Sequence, residues 1–166
     1  MPKVLILTGP GGAGKTTIGK ILEAKHGYVY LDGDREDTKY FPNGDQWLPE
    51  NADLLRKAHM RILMKAKKLV DKGKNVVVDY IIFGRYLEFF TLFKEQFGNH
   101  LQMKVLMPSQ EELIRRDRER ECWTTGEERI ATVYEEFMSL RGAIGAQNFI
   151  DSSMQTPEET VAAILS

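Results

Sequence analysis

The chain has 166 residues, with 23 Lys and Arg against 24 Asp and Glu and a formal charge of −1, so its overall field attracts neither nucleic acid nor an anionic membrane. A chain of this length suits one domain built on one core. Cys122 is the only cysteine, which excludes an internal disulfide and suits a reducing compartment, and the expected location is cytoplasmic.

The apolar run Val4-Leu5-Ile6-Leu7, bounded by Pro2 and Gly9, has the pattern of a strand buried on both faces of a parallel sheet. It breaks into glycine after Thr8, too early for the apolar core of a secretion signal. Residues 15 to 26 put Ile18, Ile21 and Leu22 on one helical face and stop at Gly27. Tyr28 to Leu31 reads as a short second strand. From Asp32 to Glu50 the composition turns to Asp, Gly, Asn and Pro with aromatic interruptions, the mark of loops and short helical turns. Leu55, Ala58, Ile62, Leu63, Ala66, Leu69 and Val70 then recur at helical spacing until Gly73. Asn75 to Tyr80 is the predicted third strand, and residues 85 to 97 form an aromatic-rich helix for packing on the sheet. Leu101 to Met107 is the fourth strand, and Ser109 opens a helix with Glu112 at the capping-box position. A helix around 128 to 141 follows a polar break, and a last strand near Phe149 and Ile150 precedes the helix start Thr156-Pro157-Glu158-Glu159. Strands alternating with helices predict a three-layer α/β fold with a parallel sheet, and no run of about 18 apolar residues predicts a membrane span.

Gly9-Pro10-Gly11-Gly12-Ala13-Gly14-Lys15-Thr16 matches G-x-x-x-x-G-K-[ST] at every fixed position, between a predicted strand and a predicted helix. Glycines let successive backbone N–H groups converge on phosphate oxygens, and the helix N-terminus adds its positive dipole end. Lys15 is expected to reach the β- and γ-phosphates of ATP, Thr16 to present its hydroxyl to Mg2+, and Thr17 to lie in the same turn. The chain has neither the D-x-x-G nor the N-K-x-D signature of guanine-nucleotide switches, and its third strand ends Asp79-Tyr80 rather than in the Asp-Glu of motor ATPases.

By length and by elimination, the whole chain resembles the small-molecule and nucleotide kinases of the P-loop class, which implies a five-stranded parallel sheet and a short lid. Leu31-Asp32-Gly33-Asp34 is similar to the L-D-G-D of gluconate kinases and adenylylsulfate kinases, and to the corresponding aspartate of chloramphenicol phosphotransferases and zeta-toxin-type kinases. That resemblance makes Asp34 the candidate base for an acceptor hydroxyl and places Asp32 beside the substrate; Asp-Gly-Asp is also an ordinary turn sequence. Asp79 stands at a strand end, where open α/β sheets bind ligands, and its expected role is to hold Mg2+ through water. The segment Asp79 to Arg85 resembles chloramphenicol phosphotransferases, which makes Arg85 a candidate contact to acceptor or phosphate. Arg116 and Arg120 resemble the paired arginines before the lid of nucleotide kinases and are candidate catalytic cations; interleaved Asp117, Glu119 and Glu121 also fit a solvated helix with ion pairs. The resemblance also places Phe149 to Ser153 at the adenine pocket. His26, His59 and His100 lack metal spacing with one another or with Cys122.

These features predict a single kinase domain over residues 1–166, with an acceptor segment at about 32–60 and a lid at about 120–127. The expected partners are ATP and a small-molecule acceptor, the chain being a monomer or homodimer. A sugar, sugar acid or antibiotic-like hydroxyl is favoured because Asp32 and Asp34 would repel a dianion. Two alternatives stay open: a nucleoside monophosphate kinase using Arg35, Lys39, Arg56 and Arg61, and a regulator that binds ATP without transferring phosphate.

Overall fold

Alternation of side chains along the strands divides the interior into two cores, one on each face of a central sheet. The computed structural model describes residues 1–46, 48–81, 87–121 and 124–166. Its sheet comprises β1 (Val4–Thr8), β2 (Tyr28–Asp32), β3 (Asn75–Asp79), β4 (Leu101–Leu106) and β5 (Phe149–Ile150), in the order β2-β3-β1-β4-β5. Every neighbouring pair is parallel, with β1 in the centre. Between the strands run α1 (Lys15–His26), α2 (Gly33–Asp37), α3 (Ala52–Asp71), α4 (Leu87–Phe97), α5 (Gln110–Arg118), α6 (Glu127–Ser139) and α7 (Arg141–Ile144), and α8 (Pro157–Leu165) follows β5.

On one face Val4, Ile6, Val76, Val78 and Val105 meet Ala58, Ile62 and Ala66 of α3 and Phe89 and Phe93 of α4. On the other, Leu5, Leu7, Val77 and Leu106 meet Ile18 and Leu22 of α1 and Val161 and Ile164 of α8. This is the three-layer arrangement expected from the continuous apolar runs, since a strand covered by helices on both sides has no polar face. Burying one of the α4 phenylalanine rings contributes roughly 2–3 kcal/mol. Among the described residues, no helix is long and apolar enough to cross a membrane.

The 32 to 50 segment opens with a short helical turn, as its composition predicts, whereas the capping box expected at Ser109 is incomplete. The start of the 32 to 50 segment is α2, a five-residue helix whose first turn is capped by Asp32, which accepts from the Arg35 amide at 3.0 Å. Ser109 caps α5 as expected, accepting from the Glu112 amide at 3.2 Å, but the Glu112 carboxylate turns to Arg115 and Arg116 instead of completing the box. A complete capping box stands at α8, between Thr156 and Glu159.

Because all strands run the same way, their carboxyl ends share one edge of the sheet. Asp32 and Leu7 both stand in register with Asp79 there. The phosphate loop leaves β1 at this edge, α2 leaves β2, and the segment after β4 leads to α5.

Candidate active site

The loop from Gly9 to Gly14 joins β1 to α1, and Gly14 occupies the helix N-cap at φ 95 with no side chain closing the first turn. The free N–H groups of that turn therefore face outward, as anion binding requires. They border a cavity of about 680 Å³ whose walls include Gly11 to Ile18, Asp34, Asp79, Arg116, Arg120 and Ser152. Lys15 Nζ donates to the Gly9 and Pro10 carbonyls at 2.8 and 3.1 Å. Desolvation lowers its pKa and the Arg120 charge adds to that, while Asp79 and Asp34 oppose it.

Asp79, 3% exposed, is gripped through one oxygen: Thr16 Oγ1 donates to its Oδ2 at 3.1 Å and the Tyr30 hydroxyl at 2.6 Å. Its other oxygen, Oδ1, is buried with no hydrogen-bond partner. A hydroxyl beside an unsatisfied carboxylate oxygen is a donor set that suits Mg2+ and its water. Among the described residues no group of three or more acidic, His or Cys side chains could enclose a metal, so phosphate oxygens and water would have to supply the rest of the shell.

Asp34 leaves the first turn of α2 toward the same cavity and remains open to its solvent. Desolvation by the surrounding walls pushes its pKa up to about 7; Lys15 opposes the rise, and Asp79, Asp37 and Asp32 reinforce it. Asp32, its partner in the sequence motif, caps the helix that carries it and does not line the cavity. Gly33 between them lies against the Tyr80 ring.

The two arginines fall on either side of the end of α5, and both reach the phosphate loop. Arg116 Nη1 donates to the Gly12 and Ala13 carbonyls at 3.1 and 3.4 Å, and its Nε to Glu112 at 2.8 Å. Arg120 Nη2 stands 3.5 Å from where a Cβ on Gly12 would be, and its guanidinium lies 3.8 Å from Asp117. Arg115 and Arg118 instead make surface pairs, with Glu112 and Glu119 and with Glu127 respectively. Asp117 is no surface partner: it is buried and accepts from the Thr125 and Gly126 amides at 2.7 and 3.0 Å. Those two hydrogen bonds hold its pKa down and fasten the far end of the segment between α5 and α6.

Several groups at or under the site escape a sequence reading. Glu36, 7% exposed, receives Lys39, Arg61 and Lys65 at 3.0, 3.2 and 2.6 Å, and the hydrogen bonds from these cations hold its pKa down near 2 despite desolvation. The Tyr80 hydroxyl donates to Asp37 Oδ2 at 2.8 Å and lies 3.2 Å from His59 Nε2, all three residues being buried. Near the start of α8, Gln155, Pro157 and Thr160 line the cavity beside Ser152, which lies in the 149 to 153 segment already singled out by the sequence. Ser152 Oγ is buried without a partner, whereas Thr160 donates to Gln155 Oε1 at 2.9 Å. The candidate Arg85, together with Trp47, Cys122 and Trp123, lies outside the described residues.

A parallel five-stranded sheet with a phosphate loop after its central strand, faced by the carboxylates of Asp34 and Asp79, defines a P-loop α/β fold. The chain belongs to the AAA domain family, whose pattern matches residues 5–135. No curated protein matches the sequence. Among solved structures it is similar to a gluconokinase from Sinorhizobium meliloti 1021, at 20% identity over 99% of this chain and 90% of that one, with a TM-score of 0.66. A shikimate kinase from Bacteroides thetaiotaomicron is 18% identical over 98% and 96% of the two chains, with a TM-score of 0.67. A sugar kinase from Janibacter sp. HTCC2649 is 15% identical over 99% and 93%, with a TM-score of 0.76. At these identities the shared property is the fold.

Proposed function

We propose that this protein transfers the γ-phosphoryl group of ATP to a hydroxyl of a small molecule such as a sugar, sugar acid or antibiotic. The observation that carries the reading is Asp34: a carboxylate with a pKa of about 7 opens onto the cavity that holds Lys15, Thr16 and Asp79. The acceptor hydroxyl gives its proton to Asp34, its oxygen bonds to the γ-phosphorus, and the bridge to the β-phosphate breaks with its electrons leaving on ADP. Magnesium, on Thr16 and water held by Asp79, would neutralise phosphate charge. Lys15, Arg116 and Arg120 set positive charge around the transferring group, where charge redistributes in the transition state. Transfer is favoured over hydrolysis because Asp79 is followed by the buried ring of Tyr80, not by a glutamate that could activate water.

The proposal takes residues 1–166 as one kinase domain working in the cytoplasm as a monomer or homodimer, with the acceptor segment at 32–60 and the lid at 120–127. That three proteins of similar fold are a gluconokinase, a shikimate kinase and a sugar kinase supports a small-molecule acceptor. A phosphate-bearing acceptor is the second reading, supported by Lys39, Arg61 and Lys65 around the single carboxylate of Glu36, three positive charges against one negative leaving two. Against it, those cations are already turned to Glu36, and Arg56 pairs with Glu88.

Single-turnover transfer from γ-labelled ATP across alcohols, sugars, sugar acids, antibiotics and nucleoside monophosphates tests the assignment. Label is expected on a hydroxyl compound. Label on nucleoside monophosphates alone would establish the second reading, and tight ATP binding with no transfer to any acceptor would establish a regulator.

A further inference from the structure

The Tyr30 ring crosses from β2 to β3 on the α1 face of the sheet, and its path depends on a missing side chain. A Cβ on Gly19 of α1 would lie 2.5 Å from Tyr30 Cε2 and 2.6 Å from Cδ2. With that space open, the ring lies along α1 and its hydroxyl reaches Asp79 Oδ2 at 2.6 Å. Strand register supports the approach: Tyr30 pairs with Val77, two residues before Asp79 and on the same face, so the hydroxyl has to span one step along β3.

Two donors, Tyr30 and Thr16, therefore converge on a single oxygen of Asp79. They fix the carboxylate plane from two directions and leave Oδ1 as its unsatisfied, buried acceptor. The Thr16 hydroxyl donates its proton in that contact, which leaves its own lone pairs available to a cation.

We propose that Tyr30 is a positioning residue for the magnesium site, orienting Asp79 so that Oδ1 accepts from a metal-bound water while Thr16 faces the metal, and that Gly19 is glycine to admit the Tyr30 ring. The proposal rests on the reading of Asp79 as a magnesium-side carboxylate. Groups that orient a ligand without touching the metal typically change metal affinity or activity about 10–100-fold when removed.

The test measures ATP affinity by calorimetry with magnesium and with a chelator present, so that the gain due to the metal is read apart from turnover. Tyr30→Phe keeps the ring and removes only the hydroxyl; the magnesium-dependent gain is expected to fall roughly 10-fold or more while metal-free ATP affinity and melting temperature stay near wild type. Gly19→Ala retains the Tyr30 hydroxyl but displaces the ring that carries it away from Asp79, and is expected to reproduce that loss. Asp79→Asn separates the two levels of the argument. If Asp79→Asn abolishes the gain and Tyr30→Phe keeps it in full, Tyr30 only fills space and the proposal is overturned. If Asp79→Asn also keeps the gain, the magnesium reading of Asp79 fails and the role of Tyr30 fails with it.

Discussion

Gly33 stands so close to Tyr80 that a Cβ on it would lie 2.7 Å from Tyr80 Cδ1 and 2.8 Å from Tyr80 Cβ. The contact joins the two carboxylates that line the cavity, because Gly33 immediately precedes Asp34 and Tyr80 immediately follows Asp79. The ring cannot yield easily, since it is fully buried and its hydroxyl is committed to Asp37.

Gly33→Ala is therefore expected to destabilise the fold by about 1–3 kcal/mol through overpacking and to push α2, with Asp34, away from the cavity. Urea denaturation reads the first effect and steady-state turnover the second. A variant with wild-type stability and rate would mean that α2 moves freely over Tyr80.

Replacing Asp34 by Asn should lower turnover roughly 100–10,000-fold while ATP affinity stays within a few-fold, because the amide keeps the shape but accepts no proton. In the wild type, kcat/KM for the acceptor should fall as pH drops through about 7, where Asp34 gains its proton. Stability moves the other way. Its folded pKa lies above the value of 3.8 for an unhindered aspartate, so its contribution is full below about that value and is lost as pH rises through about 7. Asp34→Asn should accordingly melt higher than wild type at pH 8, with the gap closing as pH falls toward 4 (roughly the unfolded pKa). The gap will be smaller than the pKa difference alone implies, because Asp34 stays open to screening solvent. A pH-independent rate from pH 5 to 9 (a range of about two units either side of 7) would remove Asp34 from the role of base.

Asp117→Ala removes the acceptor for the Thr125 and Gly126 amides. Hydrogen exchange at those two amides should speed up by about tenfold or more, and turnover should fall with little change in the exchange of β1, β3 and β4. Unchanged protection at Thr125 and Gly126 would show that the segment is held by other contacts.

Ser152 Oγ has no partner within the protein although it is buried against the cavity. Ser152→Ala should cost no stability, yet weaken ATP binding by about fivefold to tenfold if the hydroxyl meets the nucleobase or ribose, the worth of one ordinary hydrogen bond. Equal binding of ATP by both proteins would leave Ser152 without a part in nucleotide recognition.

The phosphate loop is legible in the sequence because its chemistry is local: eight consecutive residues carry the glycines, the lysine and the hydroxyl, and the apolar run before them specifies the buried strand. Strand-end carboxylates can be found the same way, because Asp32 and Asp79 each close a strand. What they do once there is not local. Asp32 spends its carboxylate on the Arg35 amide, and only the turn of α2 brings Asp34 to the cavity instead. Tyr30 carries no signal, since its value depends on β2 lying beside β3 and on a glycine of α1. Asp117 reads as one more charge in an arginine-rich helix, because its partners are backbone amides that arrive only when the chain folds back eight and nine residues later. Glu36 is hidden for the same reason: two of its three cations come from α3.

The strand order also dictates when the site can exist during folding. β1 is early in the chain but central in the sheet, with Val4 in register with Val76 on one side and Leu101 on the other. The loop that follows it can form as a local turn, but its anchorage waits for partners about 70 and 100 residues downstream, and such distant closures are slow to form. On a ribosome, β1 must therefore emerge and wait, as an apolar segment without neighbours, until β3 and β4 follow it. Phosphate-binding geometry is thus a late product of assembly, and a nascent chain lacking β4 would hold the complete motif in its sequence without a rigid cradle for a nucleotide.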